Sequence, residues 1–388
     1  MRDPRPTVKL ALLRLAGIAA GLAMIVAADA RSTVARLADF SGIYVATQPL
    51  HNVQRNLRDE VYQVDGVDGI YVRLVWRTIA PAPGRFDWST LDRELDRVER
   101  TGKKLSIGVR AGAWTPGWLY EQGVRGSRFV VGAHGGGLGR CDEHTLPWPW
   151  DDRYQQAYID MMRALAAHLK ARPRSYELLR IVKITGINQR SEEMRMPANA
   201  VAGIKRAGGC AISDAVSEWR AAGYRPSKVV DAWRRMAEGV AASFPDKLLA
   251  IEVLDRNDFP AIAEPGRGEL IDVKAQIVAL GLGLFPGRFA VQWDGLSAVR
   301  AADSVIASGR RGAIVGWQTN LFRGPEGGAG CEARTVYEAQ PCTASSFRAI
   351  LENGIAHGGR YIEVWAPDAL RFGDVLKDVR PRIGARAP

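Results

Sequence analysis

Eight short apolar segments alternate with amphipathic segments along most of this 388-residue chain. The apolar segments are residues 41–50, 69–79, 103–113, 180–188, 247–255, 288–296, 312–320 and 360–366. Aliphatic and β-branched residues fill each of them, as is typical of strands that are covered on both faces. Because neighbouring parallel strands need a crossover connection, strands that alternate with helices indicate a parallel sheet.

Helical periodicity falls between these strands, at residues 88–101, 153–171, 226–244, 271–280, 295–308 and 345–357. Asp87 is an N-cap candidate for the first helix, and Gly102, Gly309 and Gly358 are C-cap candidates. Eight repeats, rather than five or six, favour closure of the sheet. We therefore predict an α/β fold, a (β/α)₈ TIM barrel formed as a single domain by residues 31–388, with long βα loops.

The first thirty residues are expected to be a targeting segment and not part of the folded domain. Four basic residues precede an apolar run at 15–28, which ends at Ala28-Asp29-Ala30. This order is typical of a secretory signal peptide, residues 1–30, and predicts a periplasmic or secreted protein. The apolar run is shorter than the roughly 20 residues that span a bilayer. A retained membrane anchor is the alternative; after signal removal we expect no stable membrane insertion.

The four cysteines suit an exported protein. Cys331 and Cys342 bracket a short glycine-rich loop and are the favoured local pair, which leaves Cys141 with Cys210. The other two connectivities remain open. There is no C-x-x-C pair and there are only five histidines, so we predict neither a metal site nor a cofactor.

The formal net charge of +11 comes from arginines scattered among acidic residues, as in the segment 92–97. No compact basic run or recognition motif accompanies this charge, so nucleic-acid binding is not predicted. The sequence indicates no oligomeric state.

Chemistry in such barrels gathers at the carboxyl ends of the strands and in the loops that follow them. Tryptophans and polar residues are concentrated there. An indole face fits the C–H face of a sugar ring, and polar groups hydrogen-bond its hydroxyls, so we predict a carbohydrate partner. The predicted substrate-binding residues are Arg73, Trp76, Trp114, Trp118, Asn188, Trp293, Asp294, Trp317, Gln318 and Trp365.

Residues 184–197, after the fourth strand, resemble the acid-bearing segment of β-amylases and related barrel glycosidases. In that pattern a glycine-containing strand leads to a small residue, Glu, an aliphatic residue, Arg, a large residue and Pro. Glu193, Met194, Arg195 and Pro197 match it, and Glu192 is an extra residue after Ser191. The resemblance implies that Glu193 is a general acid.

Residues 72–88 and 104–119 look like the second and third strand regions of clan A glycosidases and bacterial β-galactosidases. Arg73 matches the arginine that positions a catalytic carboxylate in that clan. The resemblance implies a glycoside hydrolase that cleaves an oligo- or polysaccharide with two carboxyl groups.

The seventh strand departs from the clan A pattern. It carries Gln318 where those enzymes carry the nucleophilic carboxylate, and an amide can neither attack the anomeric carbon nor deprotonate water. We expect Glu363, an isolated carboxylate in an apolar strand, to supply the second group, followed by Asp294 and then Glu252. A non-catalytic glycan-binding protein and a barrel of unrelated chemistry, such as a lyase, are the alternatives.

Overall fold

A computed structural model describes residues 37, 40–47, 56–131, 142–198, 213–255, 258–266, 268–319 and 343–384. The predicted signal peptide and all four cysteines lie outside the described residues, so the predicted disulfides do as well.

Eight parallel strands close into a ring, which confirms the predicted barrel. The order around the ring is β1-β10-β9-β8-β7-β6-β3-β2, so β6 lies opposite β10. Several strands end before their predicted limits because the chain leaves the sheet earlier; residues Trp76–Ile79, for example, form a short helix. The strands are β1 (Gly42–Ala46), β2 (Gly69–Val75), β3 (Lys104–Arg110), β6 (Leu179–Lys183), β7 (Leu248–Val253), β8 (Phe289–Leu296), β9 (Ile314–Thr319) and β10 (Gly359–Trp365).

Two further strands, β4 (Gly126–Val131) and β5 (Asp142–Pro147), form an antiparallel pair in the long excursion after β3. From the sequence, only long βα loops were predicted between the barrel strands and their helices, and this pair of strands was not predicted. Its residues lack the long apolar run of the barrel strands, because this small sheet does not lie inside the barrel.

Helices surround the barrel, and each of the six predicted helical regions overlaps one, although the region predicted at 295–308 begins on the last residues of β8 and is helical only from residue 303. Gly102 ends α2 in the left-handed conformation, with φ of 67°, as predicted. Gly309 lies inside α9, so its predicted capping role is wrong; this helix ends one residue later. The helices are α1 (Trp76–Ile79), α2 (Ser89–Thr101), α3 (Gly117–Glu121), α4 (Asp152–Lys170), α5 (Pro173–Leu178), α6 (Ala215–Ala221), α7 (Pro226–Ser243), α8 (Val273–Leu284), α9 (Asp303–Arg310), α10 (Ala344–Ala356), α11 (Ala366–Arg371) and α12 (Gly373–Val379).

Side chains alternate along each barrel strand between the interior and the layer of helices. On β2, Val72 and Leu74 join the continuous apolar core, whereas Tyr71 and Arg73 point into the barrel. Tyr71 fills the space beside Gly108 on β3, where a Cβ atom would lie 2.6 Å from the tyrosine Oη. Small residues on one strand thus make room for large polar ones on another.

In the part of the chain that the structure describes, no helix combines the length and the apolar character needed to cross a bilayer.

Candidate functional site

A buried ion-pair cluster crosses the barrel. Lys183 on β6 lies with its Nζ 2.8 Å from Oε2 of Glu363 on the opposite strand, and it also bonds Glu252 on the neighbouring β7. All three side chains are fully buried. The ammonium group also lies 3.5 Å from the centroid of the Tyr71 ring. Two carboxyl groups therefore share one buried cation.

The cluster continues upward to the barrel mouth through Gln292 on β8. The Nε2 of Gln292 donates to Glu363 Oε2 at 2.8 Å and to Asp294 Oδ1 at 3.0 Å. Asp294, two residues further along the same strand, is partly exposed. One amide thus joins a buried carboxyl group to one that reaches solvent.

Burial and charge shift the acidities of this cluster. Burial raises the pKa of Glu252 well above its ordinary value, and the nearby Asp294 carboxylate raises it further. Burial raises the pKa of Glu363 as well, although Lys183 partly opposes that effect. Burial by itself would lower the pKa of Lys183, but the two glutamates outweigh it and raise that pKa. Burial thus opposes ionisation of both glutamates, whereas the lysine charge favours it, and the glutamates in turn stabilise the charged form of the lysine.

Two arginines clamp Glu192 at the carboxyl end of the barrel. Arg73 Nε and Arg110 Nε each donate to Glu192 Oε1 at 2.8 Å, and Arg73 Nη2 bonds Oε2. Burial would raise the pKa of Glu192, but Arg110 and Arg73 outweigh it and hold that pKa far below its ordinary value. Arg73 therefore holds a carboxylate, and that carboxylate belongs to Glu192.

The loop that carries these glutamates is fastened on both sides. On one side, Ala113 N donates to Gln189 O at 2.8 Å and Trp114 Nε1 donates to Arg190 O at 2.6 Å. On the other, Met194 N donates to the carbonyl oxygen of Glu252 at 2.7 Å. The polypeptide around Glu193 is therefore held between the segment after β3 and strand β7.

Glu193 differs from Glu192 in that no arginine clamp holds its side chain in the described part of the chain. Its side chain is partly exposed, and its Oε2 is buried without a hydrogen-bond partner among the described residues. Glu192 before it is fixed by the arginine clamp, and Met194 after it is fixed by β7. The backbone thus presents a carboxyl group that has unused hydrogen-bonding capacity.

Several predicted binding residues do face the barrel interior. Arg73 lies 5.2 Å from the ring of Trp365, whose Nε1 donates to Thr319 O at 2.9 Å. Gln318 is buried on β9, and its Oε1 has no partner in the described chain. Asn188 uses its amide to bond the Ser191 carbonyl, so it braces the loop that carries Glu193.

Other predicted sugar platforms lie elsewhere. Trp317 and Trp293 sit one residue away from the inward positions, so they point into the core; Trp317 Nε1 donates to Gly354 O in α10 at 3.0 Å. Trp76 packs against Tyr154 and Tyr158 of α4, with 5.9 Å between the ring centroids in each pair. The structure places these three indoles outside the mouth of the barrel.

Trp114 and Trp118 both brace loops. Trp114 holds the Arg190 carbonyl and lies beneath the guanidinium of Arg77, 4.6 Å from its ring centroid. Trp118 is partly exposed, and its Nε1 donates to Ala80 O at 2.9 Å.

Lys183 and the clamped position of Glu192 were not predicted from the sequence. Lys183 carried a usable signal, because it is an isolated charge in the apolar run Ile181-Val182-Lys183-Ile184, just as Glu363 is in its own strand. Glu192 carried none, since only the fold brings the arginines of β2 and β3 to it.

Among the residues described, no group of three or more histidine, cysteine, aspartate or glutamate side chains has a geometry that could hold a metal ion.

A closed eight-stranded parallel barrel with charged side chains at the carboxyl ends of its strands defines the (β/α)₈ class. Residues 60–175 match the sequence profile of glycoside hydrolase family 42, described as β-galactosidase. A comparison with curated proteins finds no match.

Two solved structures are similar in fold. The catalytic domain of β-amylase from Paenibacillus polymyxa matches with a TM-score of 0.55 and 12% identity, over 89% of this chain and 98% of that one. A β-galactosidase from Rahnella sp. R3 matches with a TM-score of 0.50 and 11% identity, over 90% of this chain and 57% of the enzyme. These matches confirm the resemblance found in the sequence: residues 60–175 are similar to a glycoside hydrolase family, and the fold is similar to that of barrel glycosidases.

Proposed function

We propose that this protein hydrolyses glycosidic bonds in an oligo- or polysaccharide and that Glu193 is its general acid. The observation that carries the proposal is the environment of the Glu193 side chain. Glu192 and Met194, the residues on either side of it, are held by hydrogen bonds, whereas Oε2 of Glu193 has no hydrogen-bond partner among the described residues. A general acid must be held in place and yet be free to bond the leaving-group oxygen. The similarity to barrel glycosidases supports the reaction class.

For the second carboxyl group, we propose Asp294 ahead of Glu363, which was the first candidate from the sequence, because the two differ in burial. Glu363 has no exposed surface, whereas Asp294 is partly exposed and hydrogen-bonded to the same amide of Gln292. A nucleophile or base must reach the anomeric carbon or its attacking water. We therefore propose Asp294 for that role. Glu363 would hold the amide of Gln292 in place, and Lys183 would hold Glu363.

The chemistry then has two parts. Glu193 donates its proton to the glycosidic oxygen as the bond to the anomeric carbon breaks, and Asp294 either attacks that carbon or takes a proton from the attacking water. Direct attack leaves a glycosyl ester that water later hydrolyses. Carboxyl groups about 5–5.5 Å apart would indicate retention of configuration, and groups about 6.5–9.5 Å apart would indicate inversion.

The test is a depolymerisation screen on soluble polysaccharides and aryl glycosides, followed by the Glu193→Gln variant on every substrate that is cleaved. General acid catalysis contributes typically 10²–10⁴-fold, so we expect turnover to fall by at least a hundredfold. Glu177→Gln, an exposed glutamate on α5, is the control. Undiminished turnover in Glu193→Gln would remove this residue from the mechanism.

The amide of Gln318 is the reason for a second candidate function, the binding of a glycan without catalysis. It lies on β9, the seventh strand of the barrel, where an amide replaces the expected carboxylate. Saturable binding of a glycan that the wild-type protein never cleaves would support this alternative and exclude hydrolysis of that glycan.

We also propose that the protein acts outside the cytoplasm, because its first thirty residues have the composition of a secretory signal. Cell fractionation together with N-terminal sequencing of the mature chain tests this. A full-length chain in the cytoplasmic fraction would contradict it.

A further inference from the structure

A groove on the outer shoulder of the barrel has no role in the proposed reaction. It has a volume of about 610 Å³, within the range of roughly 300–1,000 Å³ that is typical of small-molecule sites. Its walls come from the loop after β2, from α3 and from the first turns of α4. Because Trp76 lies between the barrel and α4 and forms part of this wall, the groove lies outside the barrel interior.

The floor of the groove is aromatic and aliphatic. Trp118 and Phe86 are both partly exposed there, beside the buried Leu119 and Trp76. The indole nitrogen of Trp118 is already bonded to Ala80 O, so the ring is fixed in orientation and presents an apolar face. A fixed aromatic ring of this kind is a suitable platform for the C–H face of a sugar.

The rim of the groove is polar and electrically balanced. It carries two carboxylates, Asp152 and Asp160, and two guanidinium groups, Arg153 and Arg235. Arg235 Nη1 bonds Asp152 Oδ1 at 2.7 Å, which neutralises part of this charge locally. Gln156 adds an amide that donates to Asp160 Oδ1 at 3.1 Å and accepts from Arg235 Nη2 at 3.5 Å, and it keeps a second N–H and a second lone pair for a ligand. A rim of zero net charge does not favour an anionic or cationic ligand, and mixed donors and acceptors match hydroxyl groups.

We propose that this shoulder groove is a second carbohydrate site, which binds a neutral glycan chain away from the barrel mouth and without cleaving it. The choice of a glycan as occupant rests on the proposed function, but the site itself does not depend on catalysis by Glu193. Such a site would keep a polymeric substrate close to the mouth and raise its effective concentration there.

Affinity electrophoresis of the full chain tests the proposal, with soluble starch, galactomannan and arabinogalactan as neutral probes and polygalacturonate as the anionic one. We expect at least one neutral probe to retard the protein and Trp118→Ala to weaken that retardation at least tenfold. Trp118→Phe should retain most of it, because it keeps an aromatic face while it loses the bond to Ala80. Circular dichroism checks that each variant is folded.

The Glu193→Gln variant separates the two proposals, because it should lose turnover and keep its Trp118-dependent retardation. If the wild-type protein cleaves no substrate but Glu193→Gln is still retarded by a neutral glycan, the proposed hydrolysis is overturned and the groove site is not. Equal retardation of wild type and folded Trp118→Ala by every neutral probe, or no retardation at all, would overturn the groove site. A Trp118-dependent response to polygalacturonate alone, or capture of peptides in place of glycans, would overturn its assignment to neutral sugars.

Discussion

Lys183 and Glu363 form an ion pair across the full width of the barrel, with 2.8 Å between Nζ and Oε2. Their strands, β6 and β10, lie on opposite sides of the ring, and Glu252 on β7 shares the same lysine. Three ionisable side chains thus occupy a place that many barrels fill with apolar residues. Because each of them bonds another member of the cluster, replacement of one alone should lower the free energy of unfolding.

Replacement of the lysine should be severely destabilising. Lys183→Met leaves Glu252 and Glu363 buried without their cation, and loss of one partner of a buried pair costs about 3–5 kcal/mol. Urea unfolding monitored by tryptophan fluorescence measures the change.

Two variants control this experiment. Lys377→Met breaks the exposed pair with Asp65 and should have little effect. Addition of Glu363→Gln to Lys183→Met should recover part of the loss, because it removes one unpaired acid. A Lys183→Met protein as stable as Lys377→Met would contradict the buried pairing.

The raised pKa of Glu252 predicts a particular pH dependence. Since burial and Asp294 raise its pKa in the folded state, the folded protein favours the protonated acid. That contribution is complete below the pKa of the unfolded chain, about 4.3, and is lost as the pH rises through the folded-state pKa. Wild type should therefore lose stability relative to Glu252→Gln as the pH is raised from about 4. Chemical unfolding of both proteins at several pH values measures the difference, and a trend of the opposite sign would contradict the prediction.

The arginine clamp predicts the opposite trend at Glu192. Arg110 and Arg73 outweigh burial and lower its pKa, so the stabilisation is present above the unfolded-state pKa and is lost as the pH falls through the folded-state pKa. Glu192→Gln should cost about 3–5 kcal/mol at neutral pH, and less as the solution is acidified below about pH 4. Glu60→Gln, in an exposed pair with Arg58, is the matched control and should show no measurable change. A similar result for both glutamates would exclude a clamp in solution.

The glycine beside the Glu193 loop gives a fourth prediction. Gly112 has φ of 53°, and a Cβ atom there would collide with the backbone carbonyl of Asn188. Gly112→Ala should displace the loop and reduce both stability and turnover. Gly102→Ala has a similar φ of 67° but open space around the new Cβ atom. Each substitution carries the left-handed strain of roughly 1–2 kcal/mol, so the excess loss in Gly112→Ala reports the collision. Equal losses in thermal unfolding would mean that the loop can move aside.

The predicted strands were confirmed because a covered parallel strand leaves a continuous apolar run in the sequence, and helices between strands leave a different period. The same logic singled out Glu363, since an isolated charge in such a run must have a partner. The hairpin of β4 and β5 was missed because its pairing does not require an apolar run. The tryptophans were harder to place, because a shift of one residue along a strand moves a side chain from the barrel interior to the layer of helices, as for Trp317 beside Gln318.

Local periodicity in the sequence thus determined the (β/α)₈ barrel and the general position of a site at the carboxyl ends of its strands. Only the tertiary structure decided which charges meet. Arg73 and Glu192 are 119 residues apart in the chain, and Lys183 and Glu363 are 180 apart. Ring closure brings these pairs together, and burial then fixes their pKa shifts, because desolvation and the neighbouring charges depend on the folded geometry and not on spacing along the chain.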